Sequence, residues 1–203
     1  MKKQILFIGN SYTYYHNMPE EIFMPMAATA GYPVKVTSVT HGGYRLQWFA
    51  DPENEEGQRL REMIRGKHFD WVVLQDHSLI TILDSDAFFE GIRGLKELLR
   101  DHADRFLLCA TWGRKEGSET LADLNMSSES MTMQIADMYD EAARRFGMTV
   151  AHVGKAFVSY TSKNPLAELY LRDHHHPSLL GGSIAARTIL ASMTSATLNS
   201  LAN

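Results

Sequence analysis

The chain has little of several things, and each shortage excludes a class of function. It carries one cysteine, Cys109, in 203 residues. No internal disulfide can form, and a CxxC-type metal site is ruled out. Cys109 lies inside the apolar run 106–110 and reads as a small buried hydrophobe. Uninterrupted apolar stretches are short, and none approaches the roughly 20 residues that span a bilayer. The opening Met-Lys-Lys leads into an apolar segment too short for a signal-peptide core and without a small-residue cleavage site. As written the chain is expected to be cytoplasmic, with an exported mature form left open. There is no excess of positive charge either. The formal net charge is −4, so nothing electrostatic points to nucleic acid or an anionic membrane as partner. Repeats, low-complexity tracts and linker-like stretches are also missing, and residues 1–203 are expected to form a single domain.

What is present is an ordinary globular composition, 44% hydrophobic and 22% charged, arranged in alternating strand and helix patterns. Ile5–Ile8 is an unbroken apolar run, as expected of a strand buried on both faces of a parallel sheet. Glu20–Ala30 reads as a helix, with Asn17 as a candidate N-cap and Gly31 as the stop. Pro33–Thr40 is rich in β-branched residues and reads as a second strand. Glu53–Arg65 is helical, Trp71–Gln75 a third strand, Ala87–Arg100 an amphipathic helix and Arg105–Thr111 a fourth strand. The stretch from Trp112 to Ser130 has no strong period and is a candidate substrate loop. Met131–Arg145 is a helix closed by Gly147, Met148–Val153 a fifth strand, and about Gly182–Leu198 a final helix. Five strands separated by helices predict a three-layer α/β/α sandwich around a parallel sheet, flavodoxin-like in outline.

Two stretches carry chemistry. In QILFIGNSYT, Gly9 and Asn10 break the first strand and place Ser11 at its C-terminal edge, where ligands bind in open parallel sheets. Ser11 there is a nucleophile, an N-cap or a phosphate-cradling hydroxyl. The second stretch is DHHHPS, in which Asp173 and His176 stand three residues apart. One turn brings carboxylate and imidazole to the same side, leaving the far ring nitrogen free to take a proton from a serine. A solvated turn, or a metal site using His174 and His176, competes with that reading, but no compact motif such as HExxH supports the metal.

Together these pieces resemble the SGNH (GDSL-type) hydrolase superfamily. LFIGNSYT is similar to the family's first block, with Asn10 in place of the usual aspartate. HGGYRL is similar to the glycine block that lends a backbone N–H to the oxyanion, and DHHHPS to the family's Asp-x-x-His block. The third block departs from the pattern: VVLQDHS lacks the asparagine that completes the oxyanion hole. It looks more like the sialate O-acetylesterase-type variant, in which a glutamine takes that place.

The resemblance implies Ser11 as nucleophile, His176 as general base and acid, and Asp173 as its orienting group. It also implies an oxyanion hole made by the Ser11 and Gly43 N–H groups and the Gln75 amide. The implied reaction is hydrolysis of small acyl esters, above all O-acetyl esters, with an acetylated carbohydrate as a candidate substrate. No metal or organic cofactor is required. Tyr12, Tyr14, Tyr15, Tyr44, Trp48 and Trp112 lie near strand ends as candidate sugar-stacking surfaces. The alternative is a non-catalytic carbohydrate- or phosphate-binding module on the same fold. Nothing in the sequence sets the oligomeric state.

Overall fold

The computed structural model describes residues 2–201. Five strands, β1 (Lys3–Gly9), β2 (Val34–Thr40), β3 (Trp71–Leu74), β4 (Phe106–Ala110) and β5 (Thr149–His152), form one sheet in the order β2-β1-β3-β4-β5. Every pairing is parallel. The strands read as apolar runs because both faces of the sheet are covered. Along β1, Leu6 and Ile8 enter one core while Ile5 and Phe7 enter the other. In β3, Val72 and Leu74 alternate in the same way with Trp71 and Val73, as the two-residue period of a strand requires. Burying each such side chain contributes roughly 1.5–3 kcal/mol. Cys109 is buried in the second core, and burial pushes its thiol up to about 12.

Helices Leu46–Ala50, Glu55–Ile64, Ser85–Leu98 and Ser128–Phe146 supply buried side chains to the first core. Met24–Thr29, Val153–Lys163 and Leu179–Leu201 supply the second. The three-layer α/β/α sandwich is therefore the observed architecture. No helix among the described residues is long and apolar enough to cross a membrane.

The helix expected over Glu20–Ala30 forms differently. Met18–Phe23 is a π-helical turn, and only Met24–Thr29 is α-helical. Pro25 has no N–H to give to the Glu21 carbonyl, so the normal helical ladder cannot run through this point. Asn17 takes a left-handed conformation (φ 48°) and its side chain caps nothing. The stretch from Trp112 to Ser130 is also more structured than its composition suggests. It contains a helix at Glu119–Leu124, and its first residues, Trp112 to Arg114, are buried.

Strand order reverses between β1 and β3, since the chain moves outward to β2 on one side and to β4 and β5 on the other. Loops diverge at such a point and leave a crevice at the strands' C-terminal ends. Ser11 follows β1 there, Gly43 follows β2, and the Gln75–Ser78 turn follows β3.

Candidate active site

The turn that carries Ser11 is built by Asn10. Its Oδ1 caps the short helix Ser11–Tyr14 by accepting from the Tyr12 N–H at 3.2 Å. Its Nδ2 donates to the Tyr44 carbonyl at 3.0 Å, which ties the turn to the loop after β2. An aspartate at this position keeps the first bond and turns the second into an oxygen–oxygen repulsion. Asn10 is thus matched to this loop by its amide. Gly9 is required by close approach: a Cβ there would lie 2.6 Å from Thr13 Oγ1 and 2.8 Å from Gln75 Oε1. The Ser11 N–H, at the start of the turn, has no hydrogen-bond partner among the described residues.

The loop before the last helix brings Asp173 and His176 together. A bridge between Tyr170 and Pro177, and a Leu171 N–H bond to the His176 carbonyl at 2.8 Å, close it into a compact turn. Asp173 Oδ1 accepts the backbone N–H groups of His175 (3.1 Å) and His176 (2.9 Å). Asp173 Oδ2 meets His176 Nδ1 at 2.8 Å, and His176 Nε2 meets Ser11 Oγ at 2.8 Å. Burial alone would raise the Asp173 carboxyl. The His176 ring and the two backbone N–H groups outweigh it and hold the carboxyl at about 2. Tyr15 stacks on the imidazole of His176, with centroids 4.1 Å apart, and restricts its tilt.

Ser11, Gly43 and His176 line one cavity of about 180 Å³, together with Asn10, Tyr12, His77, Ser78, Arg114 and His175. Gly43 has φ +72°, a left-handed conformation that an L-residue adopts with strain, and its N–H has no partner among the described residues. Gln75 is the exception among the expected oxyanion residues. Its Oε1 accepts from the Asn10 N–H (3.0 Å) and the Thr13 hydroxyl (2.8 Å), and its Nε2 donates to the Asp76 carbonyl at 2.5 Å. It is buried beneath the turn that carries Ser11 and is not among the residues lining the cavity. The expected role as oxyanion donor is therefore corrected: Gln75 braces the turn. Strand geometry explains the difference, because the first residue past β3 points back under β1 and the turn must run two residues further to reach the crevice.

His77 is the residue that reaches it. The Leu79 N–H makes a long bond, 3.4 Å, to His77 Nδ1, which leaves the ring proton on Nε2. Burial, with the charges of Arg114 and Arg45 and the His175 ring behind it, lowers His77 to about 4, so the ring is neutral near pH 7.

Asp76 couples the loops around the cavity. Its Oδ1 accepts the N–H of Leu46 (3.0 Å) and of His77 (2.7 Å), while Oδ2 is buried with no partner among the described residues. Burial raises this carboxyl to about 7, against the Leu46 and His77 N–H bonds and the Arg45 charge. Its folded value lies above the unfolded one of about 3.9, so the folded state binds the extra proton and stability falls as pH rises between about 4 and 7. Asp76→Asn keeps the Oδ1 acceptor and removes the titration. Wild type is expected to lose on the order of 2 kcal/mol relative to this variant between about pH 4.5 and 7.5. Thermal unfolding across that range measures it, and parallel profiles for the two proteins would show that Asp76 does not titrate there.

Several residues depart from their expected roles. Trp112 is sandwiched between Tyr12 (4.6 Å, 2°) and Phe157 (4.5 Å, 9°). It is fully buried, so neither face is open to a sugar. Tyr44 packs against His41 and Phe49, whereas Tyr14 and Trp48 are exposed. The metal-like group is not the expected one. Asp173, His175 and His176 have ligand atoms within 4.8 Å of one another, but Asp173 and His176 are bonded to each other and His176 also to Ser11. His174 is outside that group. It takes φ 63° and accepts the Lys115 N–H with its carbonyl. Arg114 and His77 carried no role in the sequence reading. The only available signal was their position just past a strand's C-terminal end.

No protein-family model and no curated protein matches the chain. Solved structures do. A candidate SGNH hydrolase from Slackia heliotrinireducens aligns with a TM-score of 0.82 and 26% identity, over 95% of this chain and 100% of that one. A candidate GDSL-like lipase from Parabacteroides merdae aligns at 0.68 and 15% identity, over 96% and 97%. An acetylxylan esterase from Geobacillus stearothermophilus aligns at 0.63 and 14% identity, over 94% of each. With its strand order, its crevice between β1 and β3 and these likenesses, the chain is a protein of the SGNH (GDSL-type) hydrolase fold.

Proposed function

We propose that this protein is a serine ester hydrolase acting on small acyl esters, above all O-acetyl esters, with a carbohydrate as the alcohol half. The observation that carries the reading is the unbroken relay from Ser11 Oγ through His176 to Asp173, with 2.8 Å at each step. Ser11 Oγ attacks the ester carbonyl carbon while His176 Nε2 takes its proton. The ionised Asp173 accepts from Nδ1 and stabilises the imidazolium. Collapse of the tetrahedral intermediate expels the alkoxide, which takes the proton from Nε2. Water then repeats the sequence on the acyl-enzyme and releases the acid.

The negative charge that develops on the carbonyl oxygen is received by the unpartnered N–H groups of Ser11 and Gly43. In place of the expected Gln75, the Nε2–H of His77 is the side-chain donor on the same cavity. His77→Leu is expected to lower kcat by about 10²-fold with little change in KM, and His77→Asn to recover part of the loss. A change below about threefold in His77→Leu would remove this assignment. The cavity of about 180 Å³ favours short acyl groups, and the likeness to an acetylxylan esterase supports an acetylated carbohydrate as substrate.

The deciding experiment is reaction with a fluorophosphonate probe followed by peptide mapping. A phosphonylated Ser11 is the expected product. An unlabelled Ser11, in protein that is folded by thermal melt, overturns the hydrolase reading and leaves the non-catalytic binding module in its place.

A further inference from the structure

Arg114 is a buried cation that the relay does not use. It lies four residues past β4, its side chain lines the Ser11 cavity, and it is 8% exposed. Its Nη1 donates to the Tyr12 hydroxyl, and its guanidinium carbon sits 5.7 Å from the Tyr12 ring centroid. Neither contact neutralises it, because burial pushes the Tyr12 hydroxyl up to about 12 and the phenol stays uncharged.

No Asp or Glu among the described residues forms an ion pair with Arg114. The acidic groups near it in sequence and space are committed elsewhere. Glu116 accepts the Ser128 N–H, Glu168 pairs with Lys115, and Asp173 holds His176. Two of the three histidines that line the cavity, His77 and His175, are held below the ordinary histidine value, chiefly by burial. A guanidinium keeps its proton at any working pH, and a buried unpaired charge is costly. Proteins retain such a charge where a ligand supplies the counter-ion, and the planar fork of arginine fits a carboxylate with two parallel hydrogen bonds.

We infer that Arg114 receives a carboxylate carried by the substrate, so that the protein selects esters bearing a negative charge a few bonds from the scissile carbonyl. The ester part of this inference rests on the function proposed above. The carboxylate belongs either to the acyl half, as in a monoester of a dicarboxylic acid, or to the alcohol half, as in an O-acetylated hydroxy acid.

Binding can be read without turnover in the Ser11→Ala protein. Calorimetry is expected to show monomethyl succinate, an anion, binding at least about tenfold tighter than neutral dimethyl succinate. Adding Arg114→Met is expected to erase that difference. Arg114→Lys keeps the charge without the fork and is expected to retain part of it, and it serves as the second variant should Arg114→Met fail to fold. Equal affinities for the two compounds, no binding of either, or a preference that survives Arg114→Met each overturn the inference.

Turnover by wild type then assigns the half. Faster hydrolysis of monoethyl succinate than of ethyl butanoate places the carboxylate in the acyl group. Faster hydrolysis of 2-acetoxypropanoate than of 2-acetoxypropanamide places it in the alcohol. A protein that binds the anion through Arg114 but does not react with the fluorophosphonate upholds the anion site and refutes the esterase. One that is labelled at Ser11 but ignores the charge refutes the anion site alone.

Discussion

Ser11→Ala is expected to lose at least about 10⁴-fold in kcat on short esters such as p-nitrophenyl acetate, with KM nearly unchanged. The asymmetry follows from what the substitution removes. In the proposed reaction the Oγ atom is the only part of Ser11 that forms the acyl-enzyme, while its backbone N–H, the cap provided by Asn10 and the cavity walls all persist. Ground-state binding is therefore kept and the covalent route is lost. Residual turnover would come from water activated by His176 over an intact oxyanion hole. Steady-state rates of the two proteins, taken after both show the same thermal unfolding, measure the effect. Equal and low rates in wild type and variant would mean that another group performs whatever hydrolysis is seen.

The second large effect is expected of Asp173→Asn, which should lower kcat by about 10⁴-fold near neutral pH. The amide oxygen of the substituted side chain can still accept the N–H groups of His175 and His176, so the loop keeps its shape. The amide NH₂ now faces His176 Nδ1, and two donors cannot share one bond. The ring proton is then driven to Nε2, where it blocks the base that Ser11 requires. In wild type the carboxylate is ionised throughout the working range, because its hydrogen bonds hold it at about 2.

The sign of its contribution to stability follows. A carboxyl depressed from about 3.9 stabilises the fold above that value and loses the contribution as pH falls towards about 2. Comparing kcat and acid unfolding for both proteins separates the catalytic effect from the structural one. An Asp173→Asn protein within tenfold of wild type would show that His176 finds its tautomer without this residue.

Much of this architecture could be read from the order of residues because its causes are local. Strands covered on both faces must be continuously apolar, so Ile5–Ile8 and Trp71–Leu74 announced themselves. Gly31 and Gly147 ended helices as expected, each with positive φ. Helix Val153–Lys163 was not read, since its small and polar residues give a weak stripe, and the π-helical turn before Pro25 has no propensity signature. Within the site, Ser11, Asp173 and His176 were legible because a strand-end serine and a one-turn carboxylate–imidazole pair are short-range patterns. His77 and Arg114 were not, because a polar residue in a loop looks the same whether it faces water or a cavity.

The sequence by itself determined the layers, the strand-ending turn that exposes Ser11, and the pairing of Asp173 with His176. Each depends on residues a few positions apart and on burial patterns with a fixed period. Only the tertiary structure decided which side of the β3 turn Gln75 and His77 occupy, that Trp112 is core, and that Arg114 sits in the Ser11 cavity with no counter-ion among the described residues. Those outcomes depend on which of several strand-end loops meet above the sheet. Chain separations of 62 residues for Gln75 and Thr13, 63 for Trp112 and His175 and 102 for Arg114 and Tyr12 lie between the partners. Packing of the whole domain sets such contacts, and no local pattern encodes them.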